Sequence, residues 1–305
     1  MVKNVAYYRD KAPETKARTL IYLSQRIPIN WRNKSDNIFR STLILGLLKC
    51  RQFYHNDCRP FMNSSEPDLI YSSPQQHVKD FCFDAQVVEV FPDMIKRSIP
   101  GYNTIIDTIG ALSKKFAQDN STIYDLGCSL GAATIAMRRQ ISAQNCHIVS
   151  IDNSPAMVER CQMHVNAFKS TIPCDVIADA ILSYELENAS VIVLNFTLQF
   201  IPVADRLALL QRIRKGMCAG GILLLSEKIA GATPQQDATL VAMHHAFKRT
   251  NGYSELEVSQ KRAALEKVLL PETLATHQQR LQEAGFSRSD LWFQYFNFVS
   301  IVAYA

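Results

Sequence analysis

A glycine loop with an acid inside it is the strongest chemical pattern in the sequence. Asp125, Gly127 and Gly131 lie between a short β-rich run and a predicted helix. Glycine lets the backbone turn tightly towards a ligand at 127 and lets the helix pack close to the sheet at 131. An acid before the first glycine suits the cationic amino-acid end of S-adenosylmethionine, whereas a dinucleotide needs free amides for its pyrophosphate. The loop therefore predicts an S-adenosylmethionine site rather than an NAD site.

Two further polar residues end predicted strands at the same edge of the sheet. Asp152 stands at the end of the second strand, where an acid accepts both ribose hydroxyls. Asn195 follows an apolar strand at the edge where open α/β sheets bind ligands. The chain then reads FTLQF at 196–200, not the Asn-Pro-Pro-aromatic segment with which base and amide N-methyltransferases hold a target nitrogen. The usual site for a methyl acceptor is therefore missing.

The elements that must position these residues alternate along the chain. Strands are predicted at 122–126, 147–152, 175–178, 190–196 and 222–226. Helices are predicted at 92–98, 104–116, 132–141, 154–168 and 204–217. We expect Pro92 in a first helical turn, Ser154 and Pro155 at the cap and first position of another helix, and the glycines near 220 to end the helix before them. This alternation predicts a parallel, doubly wound sheet.

The last part of the chain departs from that rhythm. Helices are predicted at 238–249, 254–269 and 272–285, followed by an aromatic-rich strand pattern at 291–304 that is long enough for two strands. If the segment is a strand, one face carries Phe293 and Tyr295, and the other face carries Trp292, Phe296 and Phe298. We expect both sets of side chains in the core. The predicted fold is α/β, the Rossmann-like class I methyltransferase fold, with a seven-stranded, mostly parallel sheet, an antiparallel last strand and extra helices.

The basic charge is confined to the beginning of the chain. Residues 1–61 hold twelve Lys/Arg and four Asp/Glu, a net charge of +8. Residues 62–305 hold twenty-one Lys/Arg and twenty-four Asp/Glu, a net charge of −3, so the whole chain carries +5. We interpret 1–61 as a basic extension that is disordered or not part of the native protein. A flexible arm and a transit-like peptide are alternatives to our preferred interpretation, a translation start at Met62. Residues 62–305 form the predicted binding and catalytic domain, whose charge gives no sign of nucleic-acid binding.

Other classes of protein are disfavoured by composition. No apolar run approaches the roughly 20 residues of a membrane span. The eight cysteines include no CxxC pair and no zinc-like spacing with histidine. Buried, reduced thiols in a cytoplasmic protein without a metal site are the expectation.

Long stretches of the sequence carry a family resemblance. They are VEVFPDM at 88–94, YDLGCSLGAA at 124–133, IDNSP at 151–155, LNFTLQF at 194–200, LSEK at 225–228, NGYSELE at 251–257, SQKR at 259–262 and LWFQ at 291–294. With them the chain closely resembles the bacterial carboxy-S-adenosyl-L-methionine synthases from about residue 68 to residue 303. Residues 1–61 have no counterpart in that resemblance.

The resemblance implies a reaction other than methyl transfer. Members of that family convert S-adenosylmethionine, as a substrate, and prephenate into carboxy-S-adenosylmethionine and phenylpyruvate. The product serves a tRNA carboxymethyl-transferring enzyme that makes 5-oxyacetyluridine at the wobble position. The resemblance further implies a homodimer with the helical insert at the subunit contact, and no direct contact with nucleic acid or a membrane.

The resemblance also implies a set of site residues. Gly127 to Ser129 would face the methionine part, and Asp152 with Asn153 the ribose. Arg262 would be catalytic, because a guanidinium suits the new carboxylate in a bidentate pair. Where the family has Gly-Asp-Ile-Arg, this chain has DAIL at 179–182. The acid is shifted by one position, and we expect adenine to lose the hydrogen bond from an acid at 180 unless Asp179 supplies it. The full set is Tyr102, Gly127, Cys128, Ser129, Asp152, Asn153, Ala180, Ile181, Asn195 and Arg262.

Two other functions stay open at this stage. A conventional S-adenosylmethionine methyltransferase is favoured by fold alone, and a non-catalytic binding subunit would leave the chemistry to a partner. Adjacent His244 and His245 do not share a helix face, so a metal pair is disfavoured. Lys248 and Arg249 nearby are candidates to receive the carboxylates of prephenate.

Overall fold

The computed structural model describes residues 66–305, and the interpretation of residues 1–61 lies outside that range. Its strands are β1 Thr122–Leu126, β2 His147–Asp152, β3 Cys174–Ala178, β4 Ala189–Asn195, β5 Met217–Lys228, β6 Arg288–Tyr295 and β7 Phe298–Tyr304. Its α-helices are α1 Ala85–Ser98, α2 Tyr102–Phe116, α3 Ala132–Gln140, α4 Pro155–Ala167, α5 Val203–Gly216, α6 Pro234–Thr250, α7 Glu255–Leu265 and α8 Leu274–Glu283. A short 3-10 helix, Leu198–Phe200, follows β4.

The seven strands form one sheet in the order β3-β2-β1-β4-β5-β7-β6. Strands β1 to β5 pair in parallel, and β7 runs antiparallel between β5 and β6. The predicted class I methyltransferase fold with an antiparallel last strand is confirmed. Strand order reverses between β1 and β4, and α/β sheets bind ligands at the carboxyl ends of such strands. The glycine loop and Asn195 follow these two strands.

Apolar side chains cover both faces of this sheet. One cluster contains Leu126, Ile192 and Leu225, which pack with helices α5 and α8. The opposite cluster contains Ile123 and Val193, which pack with α2 and α3. Burial on both faces explains why β4 reads as an uninterrupted apolar run. Within residues 66–305, no helix is long and apolar enough to cross a membrane.

Helix α1 corrects the prediction that Pro92 begins a helix. The helix starts seven residues earlier at Ala85, and Pro92 lies inside it. The Asp84 carboxylate caps the helix by accepting from the Val87 N–H at 3.0 Å. Because buried Val87, Val88 and Met94 pack the apolar face of the helix, tertiary packing compensates for the backbone hydrogen bond that proline removes.

Strand β5 corrects the interpretation of the glycines near 220. Helix α5 ends earlier, at Gly216, and Ala219 to Gly221 belong to the strand. A Cβ on Gly221 would lie 3.0 Å from the backbone oxygens of Ala189 and Ser190 on β4. Gly221 therefore serves the close approach of two strands rather than the end of a helix.

The C-terminal hairpin turns at Phe296 and Asn297, a position that the sequence pattern left open. Trp292 and Phe293 pack against the core, and Phe298 is buried. The prediction that Tyr295 also lies in the core is wrong, because its side chain is 44% exposed. Tyr295 is the last residue of the edge strand β6, next to the turn, whereas the irregularity in register between Leu291 and Phe293 lets the adjacent Trp292 and Phe293 both pack against the core.

Candidate functional site

The glycine loop is held against the end of the neighbouring strand by its own backbone. The N–H groups of Gly127 and Cys128 both donate to the carbonyl of Ile151, at 2.8 and 3.0 Å. The Gly131 N–H donates to the Cys128 carbonyl at 2.8 Å, which closes the turn before α3. Ser129 adopts a positive φ of 49°, an uncommon conformation for a residue with a side chain. The sequence therefore folds this segment into a tight, well-anchored loop.

Both loop glycines are required by their neighbours as well as by their backbone angles. Gly127 has a φ of 80°, and a Cβ there would lie 2.4 Å from the Thr197 side chain after β4. Gly131 has a φ of 82°, and its Cβ would lie 2.7 Å from the Cys161 sulfur in α4. The prediction that Gly131 lets its helix approach the sheet is thus corrected, since the close neighbour is another helix.

Gly127→Ala is expected to lower stability by about 1–3 kcal/mol through backbone strain. It should also weaken S-adenosylmethionine binding about tenfold, because the collision with Thr197 displaces the loop. Thermal unfolding and calorimetric titration measure the two effects. Gly220→Ala is the matched control, since its φ is 76° but its Cβ would meet only Gln118, at 3.5 Å. Equal losses of affinity in both variants would contradict the role of the Gly127–Thr197 contact.

Asp152 is joined directly to the glycine loop. Its Oδ2 accepts from the Ser129 N–H at 2.9 Å, and its Oδ1 accepts from the Ser154 N–H at 2.9 Å. Burial raises the pKa of Asp152, while the N–H groups of Ser154, Ser129 and Asn153 oppose that rise. Ser154 caps α4, so Asp152 joins the end of β2 to both the glycine loop and the start of α4 through hydrogen bonds. Each carboxylate oxygen keeps a further lone pair for a ligand hydroxyl.

Asp125 lies beneath the loop. It is 1% exposed, and its Oδ2 accepts from the Thr134 hydroxyl at 2.6 Å. Burial raises the pKa of Asp125 to about 6, against the hydrogen bonds from Thr134. Burial also raises the pKa of Tyr102, and the Asp125 charge adds to that rise. Tyr102 and Asp125 are therefore close to each other below the loop. That Asp125 contacts a ligand directly is still a prediction.

Cys128 and Asn195 differ in what they can present to a ligand. The Cys128 side chain is buried, and a hydrogen bond to Cys161, together with burial, raises the pKa of its thiol well above the ordinary value. Only the Cys128 backbone is therefore suited to ligand contact. Asn195, at the carboxyl end of β4, has a buried Oδ1 without a hydrogen-bond partner among residues 66–305. A buried acceptor of this kind fits a donor group on a ligand.

The segment after β3 lies beside Asp152. The Asp179 N–H donates to the Asp152 carbonyl at 3.1 Å, and the Asp179 carboxylate accepts from the Ala180 N–H at 2.7 Å. Ala180 is exposed, whereas the Ile181 side chain is buried in the core. Backbone groups are therefore what Ile181 can offer to a ligand. Asn153, directly after Asp152, is exposed.

Arg262 stands on a third part of the site. It is exposed on α7, and no hydrogen bond or ion pair joins it to another of the described residues. Burial lowers the pKa of Lys228, at the end of β5; the Asp237 charge opposes this shift, and the Arg262 charge adds to it. The two cations are therefore close. Lys228 ends β5 two residues after Ser226, which pairs with Asn195, so Arg262 lies near this edge of the sheet.

Sequence reasoning missed three residues around this site. Thr197 fills the space over Gly127, Thr134 binds Asp125, and Lys228 adjoins Arg262. Lys228 ends a strand at the same edge as Asn195, so the rule that singled out Asn195 could have found it. Neither threonine carries such a signal, because its role depends on a neighbour distant in sequence.

The state of the cysteine thiols and the grouping of metal-binding side chains are known for residues 66–305. All six cysteines there are free; Cys128, Cys146 and Cys161 are buried, whereas Cys82 is exposed. The expectation of reduced thiols holds for this range, but burial of all of them does not. Residues 66–305 contain no group of three or more His, Cys, Asp or Glu side chains placed to bind a metal ion.

Comparisons with known proteins agree with this geometry. The family described as a methyltransferase domain matches residues 123–221. The carboxy-S-adenosyl-L-methionine synthase of Colwellia psychrerythraea is 60% identical over 242 residues, 79% of this chain and 99% of that protein. The synthase of that name from Geobacter sp. strain M21 is 58% identical over 78% of this chain and 98% of its own length.

A solved structure supports the fold alone. The pyocyanin biosynthetic protein PhzM has a TM-score of 0.51 and 16% identity, covering 74% of this chain and 62% of its own. The long, nearly complete matches to the two synthases are far more specific than this likeness. From them and from the glycine loop with its acids, the chain belongs to the carboxy-S-adenosyl-L-methionine synthase family, whose fold is that of the class I methyltransferases.

Proposed function

We propose that this enzyme converts S-adenosylmethionine and prephenate into carboxy-S-adenosylmethionine and phenylpyruvate. The observation that carries the proposal is Arg262, an exposed guanidinium without an anionic partner among the described residues, beside a second cation at the end of β5. Methyl transfer to a neutral acceptor does not require such a charge. A carboxylate newly formed on the substrate does, and arginine binds it in a bidentate pair.

The atoms balance without any further reactant. Prephenate loses its ring carboxylate as carbon dioxide and its ring hydroxyl as hydroxide, and the ring becomes aromatic phenylpyruvate. A methyl proton and that hydroxide form water, and a new carbon–carbon bond joins the methyl carbon to the carbon dioxide. The protein's part is to hold both substrates, exclude bulk water and neutralise the new carboxylate.

The geometry supports the binding of different parts of S-adenosylmethionine by different strand ends. Asp152, fixed by two backbone N–H groups, would bind the ribose hydroxyls, with Asn153 beside it. The backbone of the glycine loop, with Asn195 and Tyr102, would hold the methionine part, since Asn195 has an unsatisfied buried oxygen. The remaining site residues, Ala180 and Ile181, would meet the adenine through backbone groups.

Incubation with S-adenosylmethionine and prephenate, followed by mass spectrometry, tests the proposal. The expected product is heavier than S-adenosylmethionine by the mass of carbon dioxide, and phenylpyruvate should form in equal amount. Prephenate that stays unchanged would contradict the proposal. Conversion of S-adenosylmethionine to its demethylated form with a methylated acceptor would instead indicate a conventional methyltransferase, and binding without turnover would indicate an accessory subunit.

We further propose that the enzyme is a cytoplasmic homodimer. Its product would be the substrate of a tRNA carboxymethyl-transferring enzyme that acts on the wobble uridine. The net charge of −3 over residues 62–305 supports an enzyme that does not itself bind nucleic acid. Much of α6 is exposed around the aromatic group Phe247, Tyr295 and Phe296, which supports this helix as the subunit contact. A solution mass of twice the chain mass would agree with a dimer.

A further inference from the structure

Arg262 is the outermost member of a group of basic side chains from three elements. Lys228 ends β5, His245 and Lys248 belong to α6, and Arg262 belongs to α7. Their exposure decreases inwards: Arg262 is exposed, Lys228 and His245 are half-buried, and Lys248 is only 6% exposed. We call these four residues the cation pocket. A buried lysine is rare unless it is paired, so Lys248 requires an explanation.

The fold brings the two helices of this pocket together at the end of α1. The His244 Nε2 lies 2.8 Å from the Ser98 carbonyl, and the Lys261 Nζ lies 3.3 Å from the Ser98 hydroxyl. Lys248 is one helical turn after His244 and so shares its face. It therefore lies in the junction of α1, α6 and α7, where most of its side chain is covered.

Asp68, the carboxylate that acts on Lys248, is already engaged. The Asp68 Oδ2 accepts from the Lys261 Nζ at 2.9 Å and also from the Tyr253 hydroxyl. No hydrogen bond or ion pair of the Lys248 Nζ is found within residues 66–305. Burial, together with the charges of Lys261 and Lys228, lowers the pKa of Lys248 to about 7, and the Asp68 charge opposes them. The fold thus keeps an ammonium group in a place that lacks its anion.

We propose that Lys248 and Lys228, with Arg262 at the mouth of the cation pocket, bind a carboxylate of the anionic second substrate. The inference rests on the proposed function, because it assigns the binding site of the carboxyl donor. Prephenate carries two carboxylates, and two inner lysines with an outer arginine match a dianion. Lys248 would thereby select a charged donor and exclude neutral analogues, whose binding would leave the lysine buried and unpaired.

Replacement of Lys248 by methionine tests the inference, because methionine keeps the length of the stem and removes the charge. The Kd of prephenate, measured by calorimetric titration, should rise about 10- to 100-fold, as expected for loss of a charged hydrogen bond. The Kd of S-adenosylmethionine should stay within about twofold. Unfolding temperature should stay equal or rise, since a buried charge among like charges is removed.

Arg249→Met is the matched control. Arg249 is the next residue on the same helix, but it is exposed and its Nη1 lies 3.2 Å from a Glu255 carboxylate oxygen. Its replacement should leave prephenate binding unchanged. This contrast also separates the two basic residues that sequence reasoning placed together as candidates.

Proton uptake provides a second, independent measurement. Lys248 is partly neutral at pH 7 in the free protein, and a bound carboxylate raises its pKa, so binding must take up protons. Affinity should be full below pH 7 and fall as the pH rises above it. The uptake appears as a dependence of binding enthalpy on the ionisation enthalpy of the buffer, and Lys248→Met should abolish most of it. The charged and titratable groups around Lys248 are His244, His245 and Arg249 on its own helix, Lys228 on β5, Lys261 and Arg262 on α7, and Asp68 before α1.

Binding and turnover give separable outcomes. Equal prephenate affinity in wild type and Lys248→Met, or no prephenate binding by wild type, would overturn the cation pocket. If wild type binds prephenate through Lys248 but forms no carboxylated product, the cation pocket stands and the proposed reaction fails. If product forms while Lys248→Met binds prephenate normally, only the cation pocket is overturned.

Discussion

Replacing Arg262 by alanine should reduce kcat/KM for carboxy-S-adenosylmethionine formation about 100-fold, while the Kd of S-adenosylmethionine changes less than about threefold. A bidentate pair with a carboxylate contributes about 3 kcal/mol of transition-state and product binding, which corresponds to that factor. S-adenosylmethionine lacks the carboxylate, so its binding should be spared. Arg262 is exposed and unpaired among the described residues, so the fold should lose little.

Steady-state kinetics with mass-spectrometric detection, together with titration of both sulfonium compounds, measures this effect. Arg262→Lys keeps the charge but not the planar fork and should recover part of the activity. Lys267→Ala, an exposed charge shortly after α7, is the surface control and should behave as wild type. If Arg262→Ala weakened both ligands equally, Arg262 would not be the carboxylate-binding residue.

Asp152→Ala should raise the Kd of S-adenosylmethionine about 1000-fold. Two charge-assisted hydrogen bonds to the ribose, at about 2 kcal/mol each, account for that factor. The change also frees the N–H groups of Ser129 and Ser154, which the carboxylate holds at 2.9 Å, so the loop itself should loosen.

Calorimetric titration and the unfolding temperature separate the two effects of this change. Asp152→Asn retains one acceptor oxygen and should lose only about tenfold in affinity. Asp175→Ala, an exposed acid on the adjacent strand β3, should bind normally. Normal binding by Asp152→Ala would show that the ribose lies elsewhere.

Local patterns predicted the elements around Asp152 because their causes are local. The strand His147–Asp152 and the cap Ser154 with Pro155 at the helix start stand as predicted. Side-chain capping and the fixed φ of proline act within a few residues, so sequence alone carries them. The doubly wound fold follows from the alternation of such elements, and the comparisons with the two synthases support the family identified from its motifs.

Other features depended on neighbours that are distant in the chain. Helix α1 runs through Pro92 because its valines and Met94 are buried, and that packing outweighs a local helix breaker. Gly221 belongs to a strand because β4 comes within contact distance of it. Tyr295 is exposed because it ends the edge strand β6 beside the turn. Local propensity is a weak term that tertiary packing overrides at such places.

The sequence by itself predicted the kind of ligand site, since the loop glycines, Asp152 and Asn195 stand at strand ends that alternation alone predicts. Only the tertiary structure decided how these parts cooperate. It joins Asp152 to Ser129, sets Thr197 over Gly127 and groups Lys228, Lys248 and Arg262 from three elements. The physical reason is that burial and electrostatic coupling depend on the distance between residues in space, which their separation along the chain does not reveal.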